Sequence, residues 1–330
     1  MSAPTPSRTV AVVGAGISGA ACAVALRAGG ARVRLFDRGR VAGGRLASRR
    51  IEGRYVDLGA SYLTATDARF QQVVDDWVAR GLARPWTNAF HVATPAGLGG
   101  LKPGPLRYGA AGGLRSLIED LLEGFEVAHH SEVSQVGPGA RIDGRQYAAV
   151  VLAMPDPQAL RLLCAELTAE RAAVADRAWE PVLTLAAGWP ERCWGPEFDG
   201  CFVNDSPVLG WIGDDGRRRG DGAPVLVAHS TSLFAAPRLE EPQDADTALL
   251  AELRKVLAID IEPTWTQVQR WSLARPTGPR EELFHLGAAG VSLCGDGWGS
   301  PRVETAWLSG TLLGQELARQ LSLPAELGRR

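Results

Sequence analysis

The stretch Thr9–Asp37 leaves this 330-residue chain few ways to fold. Val10-Ala11-Val12-Val13 is a short apolar run of the kind a buried strand makes. It enters Gly14-Ala15-Gly16-Ile17-Ser18-Gly19 directly, a G-x-G-x-x-G turn, and helical spacing then runs to about Ala28 before Gly29-Gly30 stops it. Ala31–Phe36 reads as a second strand, and Asp37 ends it eighteen residues beyond Gly19. Gly14 permits the tight turn, Gly16 lets a pyrophosphate reach the backbone, and Gly19 lets helix and strand pack closely. The helix start at Ile17 and Ser18 offers unpaired N–H groups to phosphate oxygens. Asp37 is placed to accept hydrogen bonds from ribose hydroxyls. A bare G-x-G-x-x-G says little. Strand, turn, helix, strand and acid in register predict a Rossmann-like dinucleotide-binding α/β domain.

Composition narrows the setting. The formal net charge of −2 gives no electrostatic case for nucleic acid or an acidic membrane surface. Hydrophobic residues make up 45%, enough for one large domain or two intimate ones, and no apolar run is long enough to span a membrane. Met1–Arg8 carries no apolar signal region, and no hydrophobic anchor is read at the other end. The five cysteines, Cys22, Cys164, Cys193, Cys201 and Cys294, are scattered without a C-x-x-C. They suggest reduced thiols and a cytoplasmic protein. His129-His130 has no third ligand at a suitable spacing, so no metal site is expected.

The fingerprint does not separate NAD from FAD; the residues after it do. Arg38-Gly39-Arg40-Val41-Ala42-Gly43-Gly44-Arg45 follows the acid, and Asp57-Leu58-Gly59-Ala60-Ser61-Tyr62 comes next. With Trp271-Ser272-Leu273-Ala274-Arg275-Pro276 and Gly295-Asp296-Gly297-Trp298, these stretches resemble the FAD-dependent amine-oxidase superfamily, and within it the renalase type. The resemblance spans nearly the whole chain. It implies FAD rather than NAD in the Rossmann-like site. Asp37, Arg38, Gly44 and Arg45 would form its second nucleotide contact, and the segment through Ser61 and Tyr62 would pass the flavin. Val133 would give a backbone contact to adenine, Gly295 and Asp296 would contact phosphate and ribityl, and the closing helix near Val303 would point at the pyrimidine end. A helix N-terminus there would stabilise the negative charge of reduced flavin. Cys294 lies in a different context from the superfamily's attachment cysteine, so the FAD is expected to be non-covalent.

The resemblance also implies the layout: a cofactor domain from residues 1–80, 105–155 and 285–330, with an α+β substrate domain from 81–104 and 156–284 inserted in it. Many flavin amine oxidases hold a lysine through water to flavin N5. Here the only lysines are Lys102, in a Pro/Gly-rich stretch read as loop, and Lys255, on an amphipathic helix. That departure disfavours amine oxidation and favours renalase-type chemistry. Such proteins pass hydride from isomeric dihydronicotinamide dinucleotides, with the extra hydride at the wrong ring carbon, to flavin N5. O2 then reoxidises the flavin, giving NAD(P)+ and H2O2. No strong base is needed. Another small substrate, taken by an amine oxidase or desaturase, is the alternative, and a non-enzymatic flavin redox sensor is a third.

His229, in the strand Leu226-Val227-Ala228-His229-Ser230, is the leading substrate-side residue, matching a renalase-type His. Tyr62, Trp211, Trp271 and Trp298 could wall a pocket for a flat ring. The remaining chain reads as a helix over Asp67–Arg80 capped by Asp67, loops with short strands over Arg84–Gly104, and mostly helix over Pro157–Trp179. Strands dominate Pro181–Pro237, Gln243–Ile259 is a helix, and Ser300 caps the last helix with Pro301 as its first residue. Asp214-Asp215-Gly216 reads as a hairpin turn, and Arg217-Arg218-Arg219 as a solvated basic run after it.

Overall fold

The computed structural model describes residues 9–322; the readings made on Met1–Arg8 and on the residues after 322 lie outside these. The chain forms two compact units. One comprises Met1–Gly44, Ile118–Ala178 and Pro276–Arg330, the other Arg45–Leu117 and Trp179–Arg275.

The first unit is built on five parallel strands in the order Val291–Cys294, Ala149–Ala153, Thr9–Val13, Arg32–Phe36 and Val127–Ala128. Val10, Ala11 and Val12 are fully buried, as expected of a central parallel strand covered on both faces. From Thr9–Val13 the chain passes through the helix Ile17–Ala28 to Arg32–Phe36 on one side, and only later reaches Ala149–Ala153 on the other. Strand order therefore reverses at the carboxyl end of Thr9–Val13, where open α/β sheets bind their ligands. The closing helix Val303–Ser322 lies directly on Ile17–Ala28: a Cβ at Gly310 would sit 1.9 Å from the Ser18 carbonyl oxygen, and one at Gly314 2.6 Å from that of Cys22. This helix starts at Val303, with exposed Ser300 and half-buried Pro301 in the bend before it, so the expected Ser300 cap is corrected.

The second unit is a seven-stranded mixed sheet in the order Trp265–Pro276, Trp179–Gly188, Val225–Ser230, Leu209–Asp214, Gly200–Val203, Ala83–Thr94 and Gly97–Ala110. Side chains alternate between its faces, so each strand feeds two cores. Leu183, Leu185, Leu226, Ala228 and Ile212 pack with Leu249, Leu253 and Val256 of the helix Asp246–Leu257. Ala186, Val225, Val227 and Trp211 pack on the opposite face with Val56, Leu58 and Phe90.

Three readings of the chain need correction here. Residues 84–104 are not loops but most of a long hairpin, Ala83–Thr94 with Gly97–Ala110. The prolines are tolerated because Pro103 and Pro105 lie on the edge strand, where a missing N–H breaks no ladder. Lys102 is on this strand and exposed. The stretch 157–179 breaks into two short helices, Asp156–Leu162 and Thr168–Ala175. Asp215–Arg219 is a short buried helix, capped by Asp214 accepting from the Arg217 N–H and closed by Gly220 at φ 88°, rather than a hairpin turn. Asp67 does cap the helix Ala68–Ala79, accepting from the Arg69 N–H. Among the described residues no helix is long and apolar enough to cross a membrane.

Candidate functional site

In the first unit the fingerprint residues collect at the sheet's reversal point. Gly14 adopts φ +105°, and a Cβ there would lie 2.4 Å from the Ala153 carbonyl oxygen; one at Gly19 would lie 1.9 Å from that of Gly14. Both glycines are thus required by the protein's own packing. Gly16 is different. It sits at φ −84°, ψ −177°, a conformation any residue adopts, and a Cβ there would meet only the Gly44 Cα at 3.9 Å. Nothing in the chain demands a glycine at 16, so the open space above it suits an incoming pyrophosphate.

The surrounding groups fit that ligand. The helix Ile17–Ala28 begins without a side-chain cap, and the Ser18 hydroxyl is buried with no hydrogen-bond partner among the described residues. Gly44, at φ +53°, crosses within contact of Gly16, and the Gly43 N–H donates to the Ala15 carbonyl at 2.9 Å. Asp37 Oδ2 accepts from the Ala15 N–H at 2.7 Å, and Oδ1 accepts from the Gly39 N–H at 2.7 Å. The acid read as a ribose ligand therefore also pins the fingerprint turn; each oxygen keeps a further lone pair for a hydroxyl. Arg38 is exposed.

Gly295, at φ +150°, turns the chain after the strand Val291–Cys294, and its N–H donates to Ser309 Oγ at 2.9 Å. Asp296 is half-buried beside it, and Val303 opens the closing helix. Val133 is buried in this unit's core. Trp298 closes the turn begun at Gly295, its backbone N–H donating to the Gly295 carbonyl at 3.1 Å. It is 5% exposed in the same core, with Arg280 4.3 Å from its ring centroid on one contact and His285 stacked at 6.1 Å on another.

The second unit gathers the other motif residues. Arg45, Asp57–Ala60 and Trp271–Arg275 are tied together through backbone carbonyls: the Ala60 N–H donates to the Arg45 carbonyl at 2.8 Å, Arg45 Nη1 to the Ala274 carbonyl at 3.0 Å, and Trp271 Nε1 to the Leu58 carbonyl at 2.7 Å. A Cβ at Gly59 would lie 1.9 Å from the Arg45 carbonyl oxygen, which explains the glycine of D-L-G-A. Arg45 also lies 5.0 Å over the Trp179 ring, so in this structure its guanidinium is engaged by the protein.

His229 is on the central strand Val225–Ser230, with Thr184 and Trp211 as its cross-strand neighbours. Its Nδ1 is 3.5 Å from Ser61 Oγ, and its ring is 5.0 Å from that of Trp211. Burial pushes the imidazole down to about 3, and the charges of Arg218 and Arg275 add to the effect. His229 is therefore neutral across the physiological range. Tyr62 follows Ser61 and packs at 5.6 Å from Phe90 and 6.4 Å from Trp86. The geometry offers a neutral imidazole, a hydroxyl and an aromatic wall, with no carboxylate among the described residues hydrogen-bonded to the imidazole.

Sequence reasoning missed what holds this arrangement. Arg218 and Arg219, read as solvated, are 1% and 5% exposed. Arg218 bonds Asp215 directly and donates from Nη1 to the Ser61 carbonyl at 2.6 Å and from Nη2 to the Asp57 carbonyl at 3.3 Å. Arg219 Nη2 meets Asp57 Oδ2 at 3.2 Å, and Arg54 Nη1 meets Asp215 Oδ2 at 2.7 Å. Burial raises Asp215, but Arg218, Arg219 and Arg54 outweigh it and hold the carboxyl at about 2. The network pairs the buried charges and, through the two carbonyl contacts of Arg218, fixes the Asp57–Ser61 backbone. The available signal was the Asp214-Asp215 pair just before three arginines, which lets acid and base meet at i,i+3 and i,i+4 within one helical turn.

Known proteins resemble the chain in the same terms. Residues 12–77 match a family described as an NAD(P)-binding Rossmann-like domain. A candidate protoporphyrinogen oxidase from Exiguobacterium sp. 255-15 superposes with a TM-score of 0.77 at 15% identity, covering 96% of this chain and 100% of that one. Cyclohexylamine oxidase from Brevibacterium oxydans IH-35A gives 0.75 at 14% identity, covering 96% and 100%. Putrescine oxidase bound to putrescine gives 0.73 at 14%, covering 96% and 99%. At these identities the likeness is one of fold: a Rossmann-like nucleotide-binding domain with mixed α/β sheets, as in these oxidases.

Proposed function

We propose that the chain is an FAD-dependent oxidase of isomeric dihydronicotinamide dinucleotides, producing NAD(P)+ and H2O2 from the substrate, O2 and a proton. Non-covalent FAD supplies the hydride acceptor and the route of electrons to O2. Gly16, the uncapped start of Ile17–Ala28, Asp37, Gly44 and Gly295-Asp296 are the residues that would hold it. The reading of the substrate is supported above all by the surroundings of the His229 ring: Ser61 Oγ lies 3.5 Å from Nδ1, Nε2 is buried without a hydrogen-bond partner among the described residues, and the imidazole, pushed down to about 3, is too weak a base to take a proton from an amine. An amine must lose a proton before it gives up hydride readily, whereas an electron-rich dihydropyridine needs no base. Ser61 orients the His229 ring through Nδ1. Tyr62, Trp211 and the half-buried Trp271 provide flat apolar surface for a flat ring. Lys102 and Lys255 are both exposed, so neither is a buried lysine of the amine-oxidase kind.

The test is an anaerobic titration of the yellow holoprotein. Borohydride-generated NADH isomers should bleach the flavin rapidly, while authentic NADH and simple amines leave it oxidised. Bleaching by amines would select an amine oxidase or desaturase instead. Failure with every reductant would leave a flavin-bearing redox sensor.

A further inference from the structure

Arg107 differs from the other buried arginines of its unit. It is 5% exposed. Arg218 and Arg219 each meet a carboxylate, but Arg107 has no acidic partner among the described residues. Its one hydrogen bond runs from Nη1 to the Pro105 carbonyl, two residues away, at 3.3 Å, and its Nε is buried without a partner. Its other neighbours are aromatic: the guanidinium carbon is 4.0 Å from the Phe90 ring centroid and 5.3 Å from that of Tyr62. Cation–π attraction recovers only part of what burying a guanidinium costs, and a guanidinium does not escape that cost by losing its proton.

Escape to water was open. Residues 98–106 of the same strand are exposed, and an arginine side chain is long enough to snorkel. Arg107 is instead drawn beneath Phe90 and Tyr62. Gly104 leaves it room, since a Cβ there would come within 3.0 Å of Arg107 Nη2. A buried cation without an acidic partner among the described residues, held over the rings of Phe90 and Tyr62, is the arrangement a bound anion completes.

We propose that Arg107 is the anchor for an oxyanion of the substrate, taken by the planar guanidinium fork. The anchor stands on the geometry alone. Its assignment to a phosphoryl group of the dinucleotide rests on the function proposed above; a carboxylate of another small substrate shares the same chemistry.

Calorimetric binding to the holoprotein tests this with four probes: NAD+, inorganic pyrophosphate, succinate and 1-methylnicotinamide, the last a ring without an oxyanion. Arg107→Met should weaken NAD+ and pyrophosphate about ten- to a hundredfold, the loss of one charge-assisted bidentate contact. Arg107→Lys should recover part of it, and 1-methylnicotinamide should bind all three proteins alike. Arg107→Met should also melt at or above the parent temperature, because it removes a buried unpaired charge. Unchanged pyrophosphate, NAD+ and succinate affinities in Arg107→Met would overturn the anchor, as would lost binding together with a lower melting temperature. Arg107-dependent binding of succinate alone would keep the anchor and reject the dinucleotide. Flavin bleaching by the NADH isomers with the same half-saturation in Arg107→Met would keep the dinucleotide and reject the anchor.

Discussion

Gly16→Ala separates what the fingerprint does for the protein from what it does for a ligand. The backbone at 16 is already extended, at φ −84° and ψ −177°, so alanine fits without strain. The new methyl would meet only the Gly44 Cα at 3.9 Å, an ordinary contact. Losing glycine's freedom in the unfolded chain favours the variant by about 0.4–1 kcal/mol. Alanine is a poorer N-cap than glycine by a comparable amount. The flavin-free protein should therefore keep its stability within about 1 kcal/mol, a shift of roughly 2–4 °C in melting temperature at most. Cofactor binding should fare otherwise. A methyl forced into a well-packed contact costs about 1–3 kcal/mol, which at about 1.4 kcal/mol per tenfold is roughly a 5- to 150-fold weaker hold on FAD. Gly19→Ala is the control: its Cβ would lie 1.9 Å from the Gly14 carbonyl oxygen, so the strand–helix packing itself must give way. The assay pairs thermal melting of flavin-free protein with the flavin-to-protein absorbance ratio after desalting and reloading. A Gly16→Ala protein that keeps its flavin at the parent ratio would refute the placement of pyrophosphate over Gly16. One that melts far below the parent without flavin would show that the open space is needed by the fold.

Other outcomes follow from the same geometry. Arg218→Met strips Asp215 of its closest partner in a buried network and should destabilise the protein by about 3–5 kcal/mol in urea unfolding; a loss under 1 kcal/mol would show that Arg54 and Arg219 suffice. His229 is lowered from 6.5 to about 3 in the fold. The unfolded chain therefore binds more protons between those values, and stability falls as pH drops through that window. His229→Gln should flatten that part of the stability–pH curve, and an unchanged slope would count against a buried neutral ring. A hydrogen bond with Cys294, together with burial, raises the Cys22 thiol, and burial pushes the Cys201 thiol up to about 12. Both should resist iodoacetamide until the protein is denatured; mass spectrometry showing ready labelling of the native protein would contradict their burial.

Features that depend on neighbours in sequence were legible. The strand–turn–helix–strand unit at Thr9–Phe36 appears as read, because Gly14 and Gly19 act within five residues of each other and on one turn. The Asp67 cap is equally local. Asp37 was legible as the acid ending the second strand but not as the group that ties down Ala15. The Pro/Gly content of 84–104 misled because proline penalises a strand only where its N–H is needed, and a sequence does not say which strand will be the edge. The partners of the Trp298 ring, His285 and Arg280, were not legible either, because apolar spacing does not reveal them.

The sequence by itself determined that a nucleotide-binding β-turn-α unit opens this chain, since the constraint is steric, local and written in three glycines and an acid. Only tertiary structure decided the fate of its charges. Arg218 and Arg219 are buried because Asp57, more than 150 residues away, comes to meet them; Arg107 is buried against the rings of Phe90 and Tyr62 with no carboxylate partner among the described residues. Whether an arginine faces water, a carboxylate or an unmet ligand depends on partners brought in by the sheet's strand order, and no spacing along the chain encodes that distance.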